Sequence, residues 1–139
     1  MSDRVDVSSS TGMTPAQRFA ATAGGVYLII GVVGFGATGF SHFASVSGEQ
    51  LIVFGVNPLH NLVHVLAGAS WLWSARSPGL GPRTNVSLGF GFGLLAALGF
   101  FGFATILAVE AADADNFLHL ATAALALYFG TVGATAARG

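Results

Sequence analysis

Cysteine is absent from this chain, and so is lysine. The first absence excludes disulfides, thiolate nucleophiles and Cys-ligated metal centres, and leaves histidine and carboxylate as the candidate protein ligands for a metal. Charge is scarce too, with Asp, Glu and Arg making up 8% of the residues against about 25% in an average soluble protein. At 53% hydrophobic content, so few polar side chains cannot coat a water-facing surface, and hydrocarbon is the expected surrounding for much of the chain. The net charge of -1 and the scattered arginines offer no basic stripe, which argues against nucleic acid as a partner. No Ser-His-Asp spacing, phosphate-binding glycine loop or paired carboxylate within an apolar run is present, so no enzymatic activity is expected.

What is present is a succession of long uncharged segments. Residues 1–14 are polar and read as a disordered cytoplasmic tail. A signal peptide would place its apolar segment earlier, so the first apolar run is expected to stay as a span. Thr14-Pro15 has the form of a helix cap followed by proline at the first helical position, and the uncharged run 19–40 follows. About 20 residues at ~1.5 Å rise match a ~30 Å hydrocarbon core. The segment 41–56 mixes His42 and Glu49 with Phe43, Val46, Leu51, Ile52 and Phe54, and is expected to form a short re-entrant or surface helix. Asn57-Pro58 repeats the cap-then-proline signal and opens a second span at 58–75, closed by Ser77-Pro78-Gly79 and Gly81-Pro82. Thr84 or Asn85 is expected to cap a third span at 86–109, and Asp113 and Asp115 favour the start of a fourth at 114–135. Residues 15–139 therefore read as one all-α transmembrane domain, an integral membrane four-helix bundle built as two helical hairpins.

The arginines orient it. Arg4 and Arg18 precede the first span, Arg76 and Arg83 lie between the second and third, and Arg138 follows the fourth, so all share one side. Cytoplasmic flanks retain Lys and Arg, which places both termini in the cytoplasm and the chain in the cytoplasmic membrane. Glu49, Glu110, Asp113 and Asp115 fall on the opposite side. Trp71, Trp73 and Tyr128 are expected in the inner aromatic belt.

Close helix packing in lipid relies on small residues, and this sequence aligns them at helical spacing. Gly24, Gly31 and Gly34 mark the first span; Gly89, Gly93 and Ala97 the third; Ala126, Gly130 and Ala134 the fourth. Internal packing is the first reading of these stripes and a homo-oligomer face the second. The expected partners are the lipid bilayer, further copies of the chain, or other membrane proteins.

An internal echo is the most informative feature. Asn61-Leu62-Val63-His64-Val65 opens the second span and Asn116-Phe117-Leu118-His119-Leu120 opens the fourth. Asn and His three apart share a helix face. The echo at the same point of each hairpin implies a pseudo-two-fold axis along the membrane normal. With the stretch Asn57-Pro58-Leu59-His60-Asn61-Leu62-Val63-His64, the following Gly68, and Asp115-Asn116-Phe117-Leu118-His119-Leu120, the chain resembles an actinobacterial family of small four-span membrane proteins, the domain of unknown function 4383. That resemblance implies the four-span fold and these polar positions, and brings no activity with it.

The bland reading of the echo is structural. Asn61, His64, Asn116 and His119 would hydrogen-bond across helices and to each other, at roughly 0.6 to 2 kcal/mol per bond in a membrane. On that reading the protein has a structural or interaction role and needs no cofactor. The first alternative is a metal: His60 and His64 stand four apart on one helix, a spacing that holds zinc or copper, with His119 or Glu49 completing the set. Another places His64 and His119 across the bundle as axial ligands of haem b. A last alternative is a small-solute transporter acting as an oligomer.

Overall fold

The computed structural model describes residues 12–46 and 49–132. The tail expected at 1–14, Arg4, Ala134 and Arg138 thus lie wholly or mostly outside the described residues. Thr14 Oγ1 accepts from the Gln17 backbone N–H at 3.2 Å and Gln17 Oε1 accepts from the Thr14 N–H at 3.0 Å. This capping box, with proline at the first position, starts α1 (Pro15–Thr38). The helix ends at Gly39, whose φ of 61° suits a residue without a Cβ.

The segment expected to hold a surface helix forms a hairpin instead. Strands β1 (Glu49–Leu51) and β2 (Phe54–Val56) pair antiparallel, with Glu49 opposite Val56 and Leu51 opposite Phe54. The local composition explains the correction, since Leu51-Ile52-Val53-Phe54 concentrates β-formers in too short a stretch for a helix before Asn57. Asn57 then caps α2 (Pro58–Ser74), its Oδ1 accepting from the His60 N–H at 2.8 Å.

Helix α3 (Leu80–Phe100) corrects the expected third span at both ends. It begins at Leu80 rather than at 86, so Asn85 lies inside the helix and is no cap. It is fully buried, and its Nδ2 donates to the Ala16 carbonyl at 3.1 Å. At the far end the helix stops at Phe100 instead of reaching 109. Gly102 at φ 76° turns the chain into a single 3-10 turn, Thr105–Leu107. Helix α4 (Ala114–Gly130) follows.

Two hairpins result, α1 against α2 and α3 against α4. The first is close because small residues face each other: a Cβ on Gly68 would come within 2.8 Å of the Gly24 carbonyl oxygen. Members of the small-residue stripes pack inside the chain, with Gly89 against Ala126 and Gly93 against Ala123, while Ala97 is exposed. Polar bonds then tie one hairpin to the other. Asn85 to Ala16 joins them at the arginine end, the Tyr27 hydroxyl lies 2.8 Å from Thr122 Oγ1 midway, and Asn57 Nδ2 donates to the Ile106 carbonyl at 2.9 Å at the opposite end. Each joins elements far apart in sequence.

The core between the hairpins contains Tyr27, Trp71, Phe92 and Ala126. Trp71, expected in the inner aromatic belt, is instead fully buried, stacked on Phe92 with ring centroids 5.5 Å apart. It shares a helix face with His64 and Ala67, the face that meets the other hairpin. Trp73 and Tyr128 are exposed. Polar side chains otherwise concentrate inside: His60, Asn61, His64, Asn85, Asp115, Asn116 and His119 are all buried, whereas Ile29, Val32, Leu66, Phe90, Leu94 and Leu125 are exposed.

Among the described residues, α1 with 24 residues is the one helix long and apolar enough by itself to cross a membrane. Helices α2 and α4 have 17 residues each. At ~1.5 Å per residue they reach about 25 Å.

Candidate metal centre

Each of two helices brings a pair of ligand-type side chains from its first two turns into the interior of the bundle. His60 and His64 lie one turn apart on α2, and Asp115 and His119 lie one turn apart on α4. Side chains four apart share a face. The face of α2 that carries them continues through Ala67 and Trp71, and that of α4 through Thr122 and Ala126, all buried. The four side chains are at most 2% exposed, and one ligand atom from each lies within 4.8 Å of the others.

One pair of these atoms is already at the spacing of a coordination shell, while the widest separations, up to 4.8 Å, would have to close around an ion. His60 Nε2 and His64 Nε2 are 3.1 Å apart. Two nitrogens bound at ~2.0–2.1 Å to one tetrahedral ion are roughly 3.3 Å apart. Asp115 bridges to the remaining imidazole: its Oδ2 is 3.7 Å from His60 Nε2 and its Oδ1 is 3.9 Å from His119 Nε2.

The ring of His60 is oriented from behind. Its Nδ1 lies 3.1 Å from the Gly55 carbonyl oxygen of β2. A carbonyl oxygen only accepts, so Nδ1 carries the hydrogen and Nε2 presents its lone pair to the cluster, as in metal sites whose imidazoles are fixed by a second hydrogen bond. Gly55 itself packs so closely on the Ala108 carbonyl that a Cβ there would overlap it. The hairpin is thereby seated where it can hold the histidine.

Within the cluster, His64 Nδ1, Asp115 Oδ2 and both ring nitrogens of His119 have no hydrogen-bond partner among the described residues. A buried polar atom without a partner costs about 1–3 kcal/mol. Asp115 Oδ2 and His119 Nε2 are the unpartnered atoms on the side of the cluster, and a carboxyl group among three imidazoles forms a donor set suited to a cation. Aromatic edges close the surroundings, with Tyr27 at 5.0 Å from the His64 ring and Phe92 at 5.2 Å from the His119 ring.

The two asparagines of the echo do something else. Asn61 Nδ2 donates to Thr38 Oγ1 at 2.9 Å, and Asn116 Nδ2 donates to the carbonyls of Glu110 and Ala111 at 2.8 and 3.2 Å. Each Asn Oδ1 is seated against a glycine of the partner helix, Asn61 against Gly34 and Asn116 against Gly99, where a Cβ would overlap it. Asn61, His64, Asn116 and His119 are therefore brought to one level of the bundle, but the asparagines bond to the end of α1 and to the loop before α4 rather than to the histidines. His64 and His119 have ring centroids 5.9 Å apart. His42 and Glu49 lie outside the cluster on the exposed connection between α1 and α2.

Asp115 is the ligand-type residue that sequence reasoning did not select. The signal was available, because the echo extends one residue further back. His60-Asn61-Leu62-Val63-His64 corresponds to Asp115-Asn116-Phe117-Leu118-His119, a ligand-type residue at each end of both copies.

Among curated proteins and among solved structures, no match to the chain was found. Residues 17–132, which include all four helices apart from Pro15 and Ala16 of α1, match a family model, and the chain belongs to the family described as domain of unknown function DUF4383.

Proposed function

We propose that this protein is a multi-pass protein of the cytoplasmic membrane that binds one divalent transition-metal ion, zinc or copper, through His60, His64, Asp115 and His119. The observation that carries the reading is the convergence of these four buried side chains, an i, i+4 pair from each of two helices, with polar atoms that have no hydrogen-bond partner among the described residues. Imidazole nitrogen suits both ions, and three imidazoles with one carboxylate make a donor set of the kind that binds them. The ion would join α2 of one hairpin to α4 of the other, and it would offset the cost of burying the carboxylate.

Membrane insertion is supported by the distribution of polarity. Carboxylate, imidazole and amide groups lie inside while Ile29, Val32, Phe90 and Leu94 face out, an arrangement that in water would leave a large apolar surface uncovered. Helices of 17 residues lie at the short end of the roughly 17–25 that span a bilayer, and local thinning accommodates them. Arg18, Arg76 and Arg83 are exposed at one end, where Gln17 Nε2 donates to the Ala75 carbonyl at 2.8 Å, so this end is the cytoplasmic one. The equivalent seating of Asn61 on Gly34 and Asn116 on Gly99 supports a pseudo-two-fold relation between the hairpins.

A single ion fits this space better than haem. The imidazoles of His60 and His64 are in hydrogen-bond contact and Phe92 packs against His119, so a macrocycle between His64 and His119 would have to displace both. The test is to extract the full chain from membranes in mild detergent and measure its metal content by elemental analysis together with its absorption spectrum. Near-stoichiometric zinc or copper, lost in His64→Gln and Asp115→Asn, is the expected result. A Soret band, or metal content that is unchanged in both variants, overturns the reading.

A further inference from the structure

A cavity of about 140 Å³ lies against the cluster on the side of the hairpin. Its walls include Ile30 of α1, Leu118 of α4, and Leu51 and Phe54 of the strands; the two polar residues that reach it are His64 and Asp115. We propose that this cavity admits a small, uncharged, apolar molecule from the surrounding hydrocarbon and holds it beside the metal. The inference rests on the metal reading above and names the class of molecule that would meet the ion there.

The volume and lining set the class. A dry apolar cavity of roughly 150 Å³ takes up benzene or xenon, whereas water needs several polar partners to remain in such a space. Here the lining is almost wholly aliphatic and aromatic, so a charged or strongly hydrogen-bonding solute has no means of replacing its hydration. The entrance has the same character. Ile30 and Leu118 are half-buried on facing helices and Ile52, at the hairpin tip, is exposed, so the route in passes between α1, α4 and the hairpin along apolar side chains. That route reaches the cluster at His64 and Asp115. Asp115 Oδ2, buried and without a hydrogen-bond partner, belongs to a residue of the cavity wall. His60, by contrast, is not part of the wall, and its Nδ1 is held by the Gly55 carbonyl.

Xenon serves as the probe. The full chain in detergent micelles is loaded with either Zn2+ or Co2+, and the 129Xe resonance is followed as xenon pressure is raised, beside the same measurement on Leu118→Trp and Ile30→Phe. The expected result is a saturable bound-xenon resonance that both space-filling variants abolish, and that Co2+ shifts and broadens relative to Zn2+ because the gas sits next to a paramagnetic ion. Xenon uptake that is identical in wild type and both variants, reflecting only partition into detergent, overturns the proposal. A bound resonance that is indifferent to Co2+ in a sample shown by elemental analysis to hold the ion also overturns it, and leaves the metal site standing. A chain that retains no Co2+ removes the metal reading and this inference together. Circular dichroism on each variant verifies that the helices are intact, and having two substitutions on different helices keeps the test valid if one of them fails to fold.

Discussion

His60 and His64 direct their Nε2 atoms at each other across one helical turn, 3.1 Å apart, while the far nitrogen of His60 is held by the Gly55 carbonyl. On the proposed reading the pair is half of a coordination shell fixed by the regular geometry of one helix, and α4 would supply the other half with Asp115 and His119 at the same spacing. Neither helix alone could enclose an ion, so occupancy and the association of the hairpins are linked.

That linkage predicts a stability change. Zn2+ present at roughly a hundredfold excess over its Kd should stabilise the folded chain by about 2.7 kcal/mol and raise Tm. Thermal unfolding in detergent, followed by circular dichroism with and without a chelator, checks this. His119→Gln should remove the increment; an equal increment in that variant would place the binding ions elsewhere.

The glycines that receive the two asparagines should be intolerant of enlargement. Gly34→Ala and Gly99→Ala each set a methyl group where the amide oxygen of Asn61 or Asn116 lies. Overpacking of this kind costs about 1–3 kcal/mol. Gly36→Ala, where a Cβ meets nothing within 4 Å, is the control and should be neutral or slightly stabilising. Denaturant unfolding of the three variants measures the difference.

Tyr27 and Thr122 form the bond between α1 and α4. Removing the hydroxyl with Tyr27→Phe should cost about 0.6 to 2 kcal/mol. A double-mutant cycle with Thr122→Val should return a coupling energy of that size, and a coupling near zero would mean that the bond contributes nothing in the membrane.

Because the chain has no cysteine, any introduced thiol reports its own location. Ser77→Cys, in the turn between α2 and α3, should react with a membrane-impermeant thiol reagent only when the cytoplasmic side is opened. Ser41→Cys, after α1, should react in intact cells. The reverse pattern would invert the topology.

How far the sequence alone could go is visible in particular residues. Thr14-Pro15 and Asn57-Pro58 mark helix starts because a capping oxygen and a proline act locally, and both caps are present. Hairpin β1–β2 is not legible in the sequence, since a short apolar run such as Leu51-Ile52-Val53-Phe54 fits a surface helix as well as a strand until Gly55 meets Ala108. The end of α3 depends on a left-handed Gly102, which no uncharged run reveals. Trp71 read as a belt residue because of its position along α2, whereas its direction around the helix decides its burial. Asp115 was assigned to a helix start, where acids are common, and its convergence with three histidines needs the approach of two helices that are far apart in sequence.

X-ray absorption at the zinc edge, on the full chain loaded with one equivalent of Zn2+, probes the ligand set itself. The prediction is a first shell of three imidazole nitrogens and one carboxylate oxygen at about 2.0–2.1 Å, with outer scattering from the imidazole rings. A shell of oxygen atoms alone, without imidazole scattering, would contradict the centre described here.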